Sequence, residues 1–557
     1  MRCLCDRWLQ TAVNRFSPQN RPAILTESSM AHKLRHWSPF VFGAVFLFAL
    51  FFRLGLAPAL WWDEGWTASV ARNWVELGHY GRLSLGEKAL PGLEATFPVT
   101  GSVALAFKYI GIGLFQARLV IAIYLVAALI LLFYLARRFY GRRVAVGALF
   151  VLLLMPGNGY MHLLFMGRRI FAEVPSLFFL LAGYVCFLWA GERHRLFLLG
   201  SILFWSLAII TKAQVLPFWA VSLGVTFAVA IFYRRWTLAG MFAAGLLGSV
   251  SLGYAWLALI SRFLIPTSSS VSGLYLTIGL VLDPFRRFIT VLTILQVGLP
   301  TLLSLVWALR DQKTGKELET TTRAVMIAYF ILAGSWFGWW ALASTGWTRY
   351  LFPSAFLASI FVSAMFHEWT NGFRIREMLW NTATNLIHRQ TSWSDLRMLA
   401  TLFLVVWSFV HTVTDLNDGL FRKTNTSLFQ TVEYLNTSTP STAVIETYES
   451  ELFFFLHRRY HYPPDQVHVE LIRREDLSES RVINYDPLSA DPDYLVVGIW
   501  CRYYKCYDSV LNDRIFKLVK VFGPYQIFER VREPGRSRDG PAQGTTSSAR
   551  RKDAVDM

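Results

Sequence analysis

The sequence predicts a polytopic α-helical membrane protein with about eleven transmembrane helices, followed by a small external α/β domain at the C-terminus. Of its 557 residues, 54% are hydrophobic and 16% are charged, and the mean hydropathy is +0.38. Soluble proteins carry roughly 25% charged residues and could not bury this much apolar surface, so the excess must face lipid. The composition also excludes intrinsic disorder and a collagen-like fibre, and five cysteines are too few for a disulfide scaffold.

The membrane-spanning helices are predicted from apolar windows of about 20 residues, the length that crosses about 30 Å of hydrocarbon. No small-residue cleavage site follows the first window, so we expect an uncleaved anchor rather than a signal peptide. The break at Thr211 and Lys212 is interpreted as a hairpin between two spans. The windows lie at 39–56, 117–136, 144–164, 172–190, 196–211, 214–233, 237–260, 288–309, 324–343, 350–367 and 398–414.

The orientation in the membrane is predicted from the distribution of Lys and Arg. The formal net charge of +17 would suggest a nucleic-acid partner in a soluble protein, but these charges cluster between apolar windows. We therefore expect membrane lipids, and no nucleic acid, as partners. The basic hairpins alternate with the spans and are expected to be cytoplasmic, together with the N-terminus. They contain Arg137, Arg138, Arg142 and Arg143; Arg193 and Arg195; Arg234 and Arg235; Arg310, Lys313, Lys316 and Arg323; and Arg374, Arg376, Arg389 and Arg397.

The chain is predicted to consist of a cytoplasmic N-terminal arm at 1–36, a transmembrane domain at 37–414 with an external loop at 57–98, an extracytoplasmic α/β domain at 415–531, and a disordered tail at 532–557. The α/β domain is predicted from lower hydropathy and mixed periodicity. Its helical patterns lie near 428–436 and 450–459. Its strand-like runs are Ala443–Thr447, Tyr494–Val497, Ile515–Val521 and Tyr525–Phe528, with Gly523 and Pro524 forming the last turn.

The sharpest chemical signal follows the first span directly, where Asp63 and Glu64 stand between tryptophans. A helical pattern continues to Leu77, and the tryptophans would hold this helix at the lipid headgroups. Carboxylates in the first turn of a helix are stabilised by the helix dipole and by unpaired backbone N–H groups. Asp63 is therefore either a general base at the membrane surface or the N-cap of an interfacial helix.

Three further charged segments are predicted on the same external face. Glu173 follows Arg168 and Arg169 in a short loop, either as part of a site or as an ion pair that closes the turn. Lys212 is either a counter-charge for a lipid phosphate or a lysine that reaches the headgroups. Arg349 either offers its planar guanidinium to phosphate oxygens or anchors a span. Together, four charged segments on one face of a membrane indicate a site more strongly than any one of them.

With these segments in this order, the chain resembles glycosyltransferase family 39, polytopic enzymes of the GT-C fold that include the protein O-mannosyltransferases and the bacterial aminoarabinose transferases. The resemblance covers most of residues 38–367. It rests on Asp63 and Glu64; Phe97 and Pro98 through Gly113, Phe115, Ala117, Arg118 and Leu119; Arg168 to Glu173; Thr211 and Lys212; and Arg349, Tyr350 and Pro353. The chain departs from the family at Glu173, where many relatives have aspartate. It shows no long external insert of the eukaryotic type, which favours a bacterial-type enzyme of the inner or plasma membrane.

The resemblance implies a glycosyltransferase that moves a sugar from a polyprenyl-phosphate donor to a hydroxyl of a lipid, glycan or protein acceptor on the extracytoplasmic face, with 37–414 as the catalytic domain. It implies Asp63 as the general base of a single displacement that inverts the anomeric carbon, with Glu64 and Glu173 as catalytic residues that orient the acceptor or Asp63. Nothing in the spacing demands a cofactor, but Asp63 and Glu173 are candidate ligands of a divalent metal. The donor phosphate is expected to bind Arg168, Arg169, Lys212, Arg349 and Tyr350.

Other motifs are weaker. No Gly-rich phosphate-binding loop is present, and the Asp-x-Asp of Asp491 and Asp493 is interpreted as a turn before a strand. His457 and His461 have helical spacing, but without a further pair of ligands they do not indicate zinc.

The alternative function is a secondary transporter or lipid flippase, since such proteins also carry charges within the membrane. Transporters usually show inverted repeats and broken helices at the bilayer midplane, and no internal repeat is evident in this sequence. A second alternative is a non-catalytic assembly partner whose external domain recruits other proteins. Cys501 and Cys506 lie in the predicted external domain and either form a small disulfide loop or remain thiols.

Overall fold

The computed structural model describes residues 43–531, apart from 94, 156–161, 266–270 and 315–320. The predicted N-terminal arm at 1–36 and the predicted tail at 532–557 lie outside the described residues. The chain divides into two compact units, the first ending at Leu54 and the second beginning at Gly55. In the first unit, residues 43–51 are helical, which agrees with part of the predicted span at 39–56.

The second unit is mostly helical. Its α-helices are α1 Trp62–Leu77, α2 Phe97–Ile110, α3 Leu114–Tyr140, α4 Arg142–Leu153, α5 Leu163–Met166, α6 Glu173–Glu192, α7 Phe197–Thr211, α8 Val215–Phe232, α9 Trp236–Phe263, α10 Pro284–Thr293, α11 Leu299–Thr314, α12 Thr321–Ala343, α13 Thr348–Trp369, α14 Ile375–Ile387, α15 Trp393–Asn417, α16 Thr426–Thr437, α17 Asp465–Glu475, α18 Ile499–Tyr504 and α19 Asp508–Asn512. Short π-helical turns occur at Tyr275–Gly279, Ile294–Gly298 and Asp418–Arg422.

Eight helical segments within the described ranges are long and apolar enough to cross a membrane, so the chain is an integral membrane protein. They are Leu114–Tyr140, Glu173–Glu192, Val215–Phe232, Trp236–Phe263, Pro284–Arg310, Thr321–Ala343, Thr348–Trp369 and Trp393–Thr437. The predicted span at 196–211 is the shorter helix α7, and the predicted span at 144–164 is helical in α4 and α5. The predicted hairpin is present, because α7 ends at Thr211 and Lys212 is extended.

Two helices form the centre of the membrane domain. In α13, 94% of the apolar window is buried inside the protein, and in α6 the share is 78%. These two helices are therefore surrounded mainly by other parts of the protein. Helix α6 packs against α3 and α7, and α13 packs against α4, α11 and α12. The N-terminal ends of these two central helices carry Glu173 and Arg349.

The C-terminal α/β domain contains a five-stranded mixed sheet in the order β4–β3–β5–β7–β6. Strand β3 is parallel to β4 and β5, whereas β7 is antiparallel to β5 and β6. Its strands are β3 Val444–Thr447, β4 Arg459–His461, β5 Tyr494–Val497, β6 Phe516–Phe522 and β7 Tyr525–Arg530. The four predicted strands and the turn at Gly523 are present, and Gly523 adopts a φ of 54° that glycine tolerates without strain.

The predicted helix at 450–459 is wrong. Residues Ser450–Leu452 form a single 3₁₀ turn, and β4 begins at Arg459. Leu452, Phe453 and Phe454 are all buried, because this segment lies between the sheet and the first external loop. A surface helix is apolar on one side only, whereas this segment buries consecutive side chains on all sides. Its apolar pattern therefore does not indicate a helix.

The segment predicted as the first external loop, residues 57–98, packs against the C-terminal domain along its length. A small hairpin of β1 Leu83–Ser84 and β2 Glu87–Lys88 projects from it, and Leu85 donates a backbone hydrogen bond of 2.7 Å to the carbonyl of Tyr460. Arg72 of α1 donates to the carbonyl of Phe454 at 2.6 Å. The C-terminal domain is therefore fixed directly against α1, the helix that carries Asp63.

Candidate active site

The first turn of α1 presents two acidic side chains with different partners. Trp61 precedes the helix in an extended conformation, and its backbone N–H donates to Glu64 at 2.8 Å. The carboxylate that caps the helix is therefore that of Glu64. Asp63 instead contacts the guanidinium of Arg349, and only 7% of Asp63 is exposed. The alternative that Asp63 serves as the N-cap is not what the structure shows.

Glu64 joins three segments in the interior. Both its oxygens accept from the guanidinium of Arg118, each at 3.1 Å, and neither side chain of this ion pair is exposed. One oxygen also accepts from the backbone N–H of Ile170 at 3.1 Å. Arg118 in turn donates to the carbonyl of Pro58 at 2.8 Å. These bonds hold the first turn of α1, the start of α3 and the Arg168–Glu173 loop in a fixed arrangement.

Arg349 is placed against Asp63 by the start of α13. A turn at Gly346, with a φ of 79°, precedes this helix, and Arg349 is its second residue. Its guanidinium also lies over the rings of Phe171 and Tyr350, at 5.6 and 5.2 Å from their centroids. Contact with aromatic faces stabilises a cation and limits the positions it can adopt.

Glu173 and Lys212 form the second ion pair of the site, at 2.8 Å. Glu173 is the first residue of α6, where the helix dipole stabilises a carboxylate, and Lys212 ends α7. The Lys212 ammonium lies 5.4 Å from the centroid of the Tyr350 ring. Since Tyr350 also contacts Arg349, its ring lies beside both cations. Asp63, Arg349, Tyr350, Lys212 and Glu173 thus form one continuous constellation.

Arg168 and Arg169 belong to the same region. Arg168 is fully buried, and Arg169 is 7% exposed. The Arg169 guanidinium lies 5.1 Å from the Trp61 ring and 5.8 Å from the Phe171 ring. The structure therefore brings together all of the residues that the sequence predicted for the site. The charged residues of the site, counted together with Arg118, have a formal surplus of two positive charges. The five cations are Arg118, Arg168, Arg169, Lys212 and Arg349, and the three carboxylates are Asp63, Glu64 and Glu173.

The carboxylates do not form an obvious metal site. Asp63 and Glu173 each contact a cationic side chain, and no cluster of three or more His, Cys, Asp or Glu residues suited to a metal occurs in the described part of the chain. Divalent metals of the Ca²⁺ and Mg²⁺ kind need several oxygen ligands, which this pair does not supply.

The weaker motifs of the C-terminal domain have structural roles. The side chain of Asp493 accepts from the backbone N–H of Val444 at 2.8 Å, which agrees with its interpretation as a turn residue before β5. His461 contacts Glu446 at 2.7 Å, within β4 and β3. Cys501 and Cys506 are both free thiols, so the disulfide alternative is not realised in this structure.

Sequence reasoning missed the residues that the C-terminal domain adds to the site. The indole of Trp62 donates to the carbonyl of Tyr448 at 2.7 Å and stacks on the imidazole of His468, with centroids 4.4 Å apart. Burial, with a smaller contribution from the charges of Arg349 and Arg82, lowers the pKa of His468 to about 3. These partners lie almost 400 residues from α1 in the sequence, and no motif marks them.

Tyr504 also lies close to Asp63. Burial, followed by the charge of Asp476 and in smaller measure that of Asp63, raises the pKa of Tyr504 well above its ordinary value. The Tyr504 hydroxyl donates to Asp476 at 3.3 Å. The C-terminal domain therefore places a neutral phenol within electrostatic range of Asp63.

Comparison with solved structures identifies membrane proteins of the same architecture. ArnT from Cupriavidus metallidurans, in a crystal structure bound to undecaprenyl phosphate, matches with a TM-score of 0.61 at 14% identity, over 89% of this chain and 98% of that chain. The archaeal oligosaccharyltransferase AglB from Archaeoglobus fulgidus, in complex with an inhibitory peptide and a dolichol-phosphate, matches with a TM-score of 0.51 at 13% identity, over 90% of this chain and 74% of that chain. The chain has the GT-C fold.

The GT-C fold confirms the predicted fold class of a polytopic helical protein with a C-terminal α/β domain. No protein-family model and no curated protein sequence matches the chain. The ArnT match in its apo state has a TM-score of 0.57 at 15% identity and covers the same shares of the two chains. Since these matches cover 89% of this chain, the GT-C architecture extends over most of it.

Proposed function

We propose that the protein is a glycosyltransferase that moves a sugar from a polyprenyl-phosphate donor to an acceptor hydroxyl on the extracytoplasmic face, with inversion. The observation that carries this proposal is the constellation of Asp63, Arg349, Tyr350, Lys212 and Glu173, which comes from four separate segments of a GT-C fold. Two proteins with similar folds were solved with a polyprenyl-type phosphate, undecaprenyl phosphate in ArnT and dolichol-phosphate in AglB.

Binding of the lipid phosphate is supported by charge. The sugar donor is a phosphodiester with one negative charge, and the lipid monophosphate that remains after transfer carries close to two. The surplus of two formal positive charges in the site therefore suits the charge that builds on the phosphate as the sugar departs. Arg168, Arg169, Lys212 and Arg349 supply the donors, and guanidinium groups suit phosphate oxygens geometrically. Tyr350, between Lys212 and Arg349, would keep these two cations at a fixed spacing.

Binding of the isoprenoid tail is supported by an apolar groove in the membrane domain. The groove has a volume of about 370 Å³ and runs between α4, α11, α13 and α15. Ala355 and Val362 contribute to it from α13, the helix whose first turn carries Arg349 and Tyr350. A branched hydrocarbon chain suits such a groove because the lining is largely apolar. The chain has no polar group that would need a hydrogen-bond partner there.

In the proposed reaction, Asp63 accepts the proton of the acceptor hydroxyl while the hydroxyl oxygen attacks the anomeric carbon of the sugar. The bond between this carbon and the phosphate oxygen breaks, and its electron pair stays on the phosphate. Lys212 and the arginines stabilise the negative charge that develops there. Because attack and departure occur on opposite faces, one displacement inverts the anomeric carbon. Glu173 positions Lys212, and Glu64 positions the first turn of α1, which carries Asp63.

The lipid donor and the loop charges favour a bacterial inner or plasma membrane as the location. The C-terminal domain and the site lie on one side of the membrane domain, and the positive-inside rule predicts that this side is extracytoplasmic. The acceptor, a lipid, a glycan or a protein, would then approach from the water side under the C-terminal domain.

The test is to incubate the purified protein with a panel of radiolabelled polyprenyl phosphate sugars and a membrane extract as acceptor, and to identify the product by mass spectrometry. We expect transfer from at least one polyprenyl phosphate sugar, and no transfer by the Asp63→Asn variant. Transfer from a nucleotide sugar instead would contradict the proposed donor class. An active Asp63→Asn variant would contradict the proposed base.

A further inference from the structure

His468 is a residue of the C-terminal domain that contacts the first turn of α1. Its imidazole stacks on the indole of Trp62 at an interplanar angle of 30°. Trp62 directly precedes Asp63 in the sequence. The Nδ1 atom of His468 is hydrogen-bonded to the hydroxyl of Tyr448. Its Nε2 makes no hydrogen bond to any described residue, and the side chain is half-buried, so that this nitrogen is accessible.

The partner of Nδ1 determines which nitrogen carries the proton. Burial raises the pKa of Tyr448 well above its ordinary value, so its hydroxyl retains its proton. Among the described residues, His468 Nδ1 is the acceptor available to that hydroxyl. A neutral imidazole that accepts at Nδ1 carries its hydrogen at Nε2. The accessible nitrogen is therefore a hydrogen-bond donor.

The surroundings of this donor favour an anion. Burial, followed by the nearby charges of Arg349 and Arg82, lowers the pKa of His468, so the ring stays neutral at physiological pH. Arg349 is also in direct contact with Asp63 and lies over the Tyr350 ring. A neutral N–H beside a guanidinium adds a donor for phosphate oxygens without adding to the repulsion between cations.

We propose that His468 is a substrate-binding residue of the site, and that its Nε2–H donates a hydrogen bond to a phosphate oxygen of the polyprenyl-phosphate donor. This inference rests on the proposed function and extends it, because the C-terminal domain then supplies part of the donor site. The packing of Trp62, Tyr448 and His468 holds the imidazole in one orientation, so the donor is in place before the lipid binds.

The test measures binding of undecaprenyl phosphate to the full-length protein in nanodiscs, with undecaprenol as the probe that lacks the phosphate. His468→Phe keeps the stack on Trp62 but removes the N–H, and we expect it to weaken binding of undecaprenyl phosphate about tenfold or more. Binding of undecaprenol should not change. His468→Gln retains an N–H donor, and we expect binding within about threefold of the wild type.

Two controls separate binding from folding. His457→Phe places the same substitution at an exposed histidine of the same domain and should bind like the wild type. The double variant Tyr448→Phe with His468→Phe also removes the hydroxyl that would otherwise lose its acceptor. We expect this variant to melt near the wild-type temperature and to bind undecaprenyl phosphate as weakly as His468→Phe. Wild-type affinity in the double variant, or equal loss for both probes, would overturn the role of His468. Failure of the wild type to bind undecaprenyl phosphate would instead overturn the proposed donor class.

Discussion

Asp63 and Glu64 are neighbouring carboxylates whose side chains meet different surroundings. Glu64 is completely buried and both its oxygens are occupied by Arg118 and by backbone N–H groups. Asp63 points instead to Arg349 and lies within electrostatic range of Tyr504 on the external domain. In the proposed mechanism the two residues therefore have different roles: Glu64 fixes the first turn of α1, and Asp63 faces a substrate that binds beside Arg349.

Replacement of Asp63 by asparagine tests the proposed base. The amide has nearly the same shape but cannot accept the proton, so we expect sugar transfer to fall by about 10²- to 10⁴-fold. The contact with Arg349 loses its charge but not its geometry, and we expect the melting temperature to change little. Transfer assays and thermal unfolding in detergent measure the two effects, and wild-type transfer would remove Asp63 as the base.

Replacement of Glu64 by glutamine tests the structural role. It leaves the Arg118 guanidinium buried without a counter-charge, which typically costs about 3–5 kcal/mol of unfolding free energy. The matched control is Glu76→Gln on the same helix, whose side chain is 48% exposed and 3.6 Å from Arg72. An exposed pair contributes about 0–1 kcal/mol, so we expect a small change there. Equal melting temperatures for the two variants would contradict the role assigned to Glu64.

At the scale of elements, α1 is the connection between the site and the external domain. A Cβ atom at Gly65 would lie 2.2 Å from the carbonyl oxygen of Ser450 and 2.5 Å from the Cα of Glu451. Backbone atoms cannot give way at that distance, so a larger side chain must separate α1 from the 3₁₀ turn. Glycine is therefore required at this position because of a close approach of two backbones.

We expect Gly65→Ala to lower both the melting temperature and sugar transfer, because the displaced helix carries Asp63. The control is Gly101→Ala in α2, where the nearest atom to an added Cβ lies at 3.8 Å and alanine favours the helix. Limited proteolysis of the C-terminal domain measures its attachment. Protection of Gly65→Ala equal to that of Gly101→Ala would contradict the close packing of α1 against the turn.

The turn itself carries two buried acids, and burial raises the pKa of Glu449 to about 7. Burial and the charge of Glu449 raise the pKa of Glu451 well above its ordinary value. A carboxyl whose pKa is raised by folding stabilises the folded state, and this stabilisation is complete when the pH lies below the unfolded pKa of 4.5. It is lost as the pH rises to the folded pKa of about 7. His468, whose pKa is lowered, has the opposite dependence between about 3 and 6.5.

Because the two dependences oppose each other, only a comparison of variants isolates the carboxyl pair. Glutamine mimics the protonated form of Glu449 and cannot ionise. We therefore expect Glu449→Gln to melt near the wild-type temperature at pH 5 and above it at pH 8. Thermal unfolding at the two pH values gives the result, and a difference that does not depend on pH would contradict the shared burial of Glu449 and Glu451.

The elements that the sequence predicted best are those with one dominant signal. The strand Tyr494–Val497 and the hairpin at Gly523 follow from β-branched runs and from turn residues, and both are present. The helix predicted at 450–459 failed because its burial arises from a neighbour far away in the chain. Local periodicity indicates which side of a segment is apolar. It does not indicate whether other parts of the protein pack against both sides.

At the scale of the whole molecule, the same distinction applies to the site. Charged residues at the ends of spans could be assigned to one face of the membrane, and the structure joins Asp63 with Arg349 and Glu173 with Lys212. The contribution of His468 could not be predicted, because its contact with Trp62 joins residues from two domains. Specific packing between domains depends on the shape of both surfaces, which a single pattern along the chain does not encode.

The orientation of the whole molecule gives a further prediction. The contacts of α1 with the C-terminal domain place Asp63 and residue 531 on the same side of the membrane domain, and the loop at Arg234 and Arg235 is predicted on the other side. Alkaline phosphatase folds only where disulfides form, so we expect a fusion after residue 531 to be active and a fusion after Arg235 to be inactive. Green fluorescent protein fused at the same two positions should report the reverse. If the fusion after residue 531 were inactive and fluorescent, the site would face the cytoplasm, where nucleotide sugars are available, and the proposed extracytoplasmic lipid donor would lose its rationale.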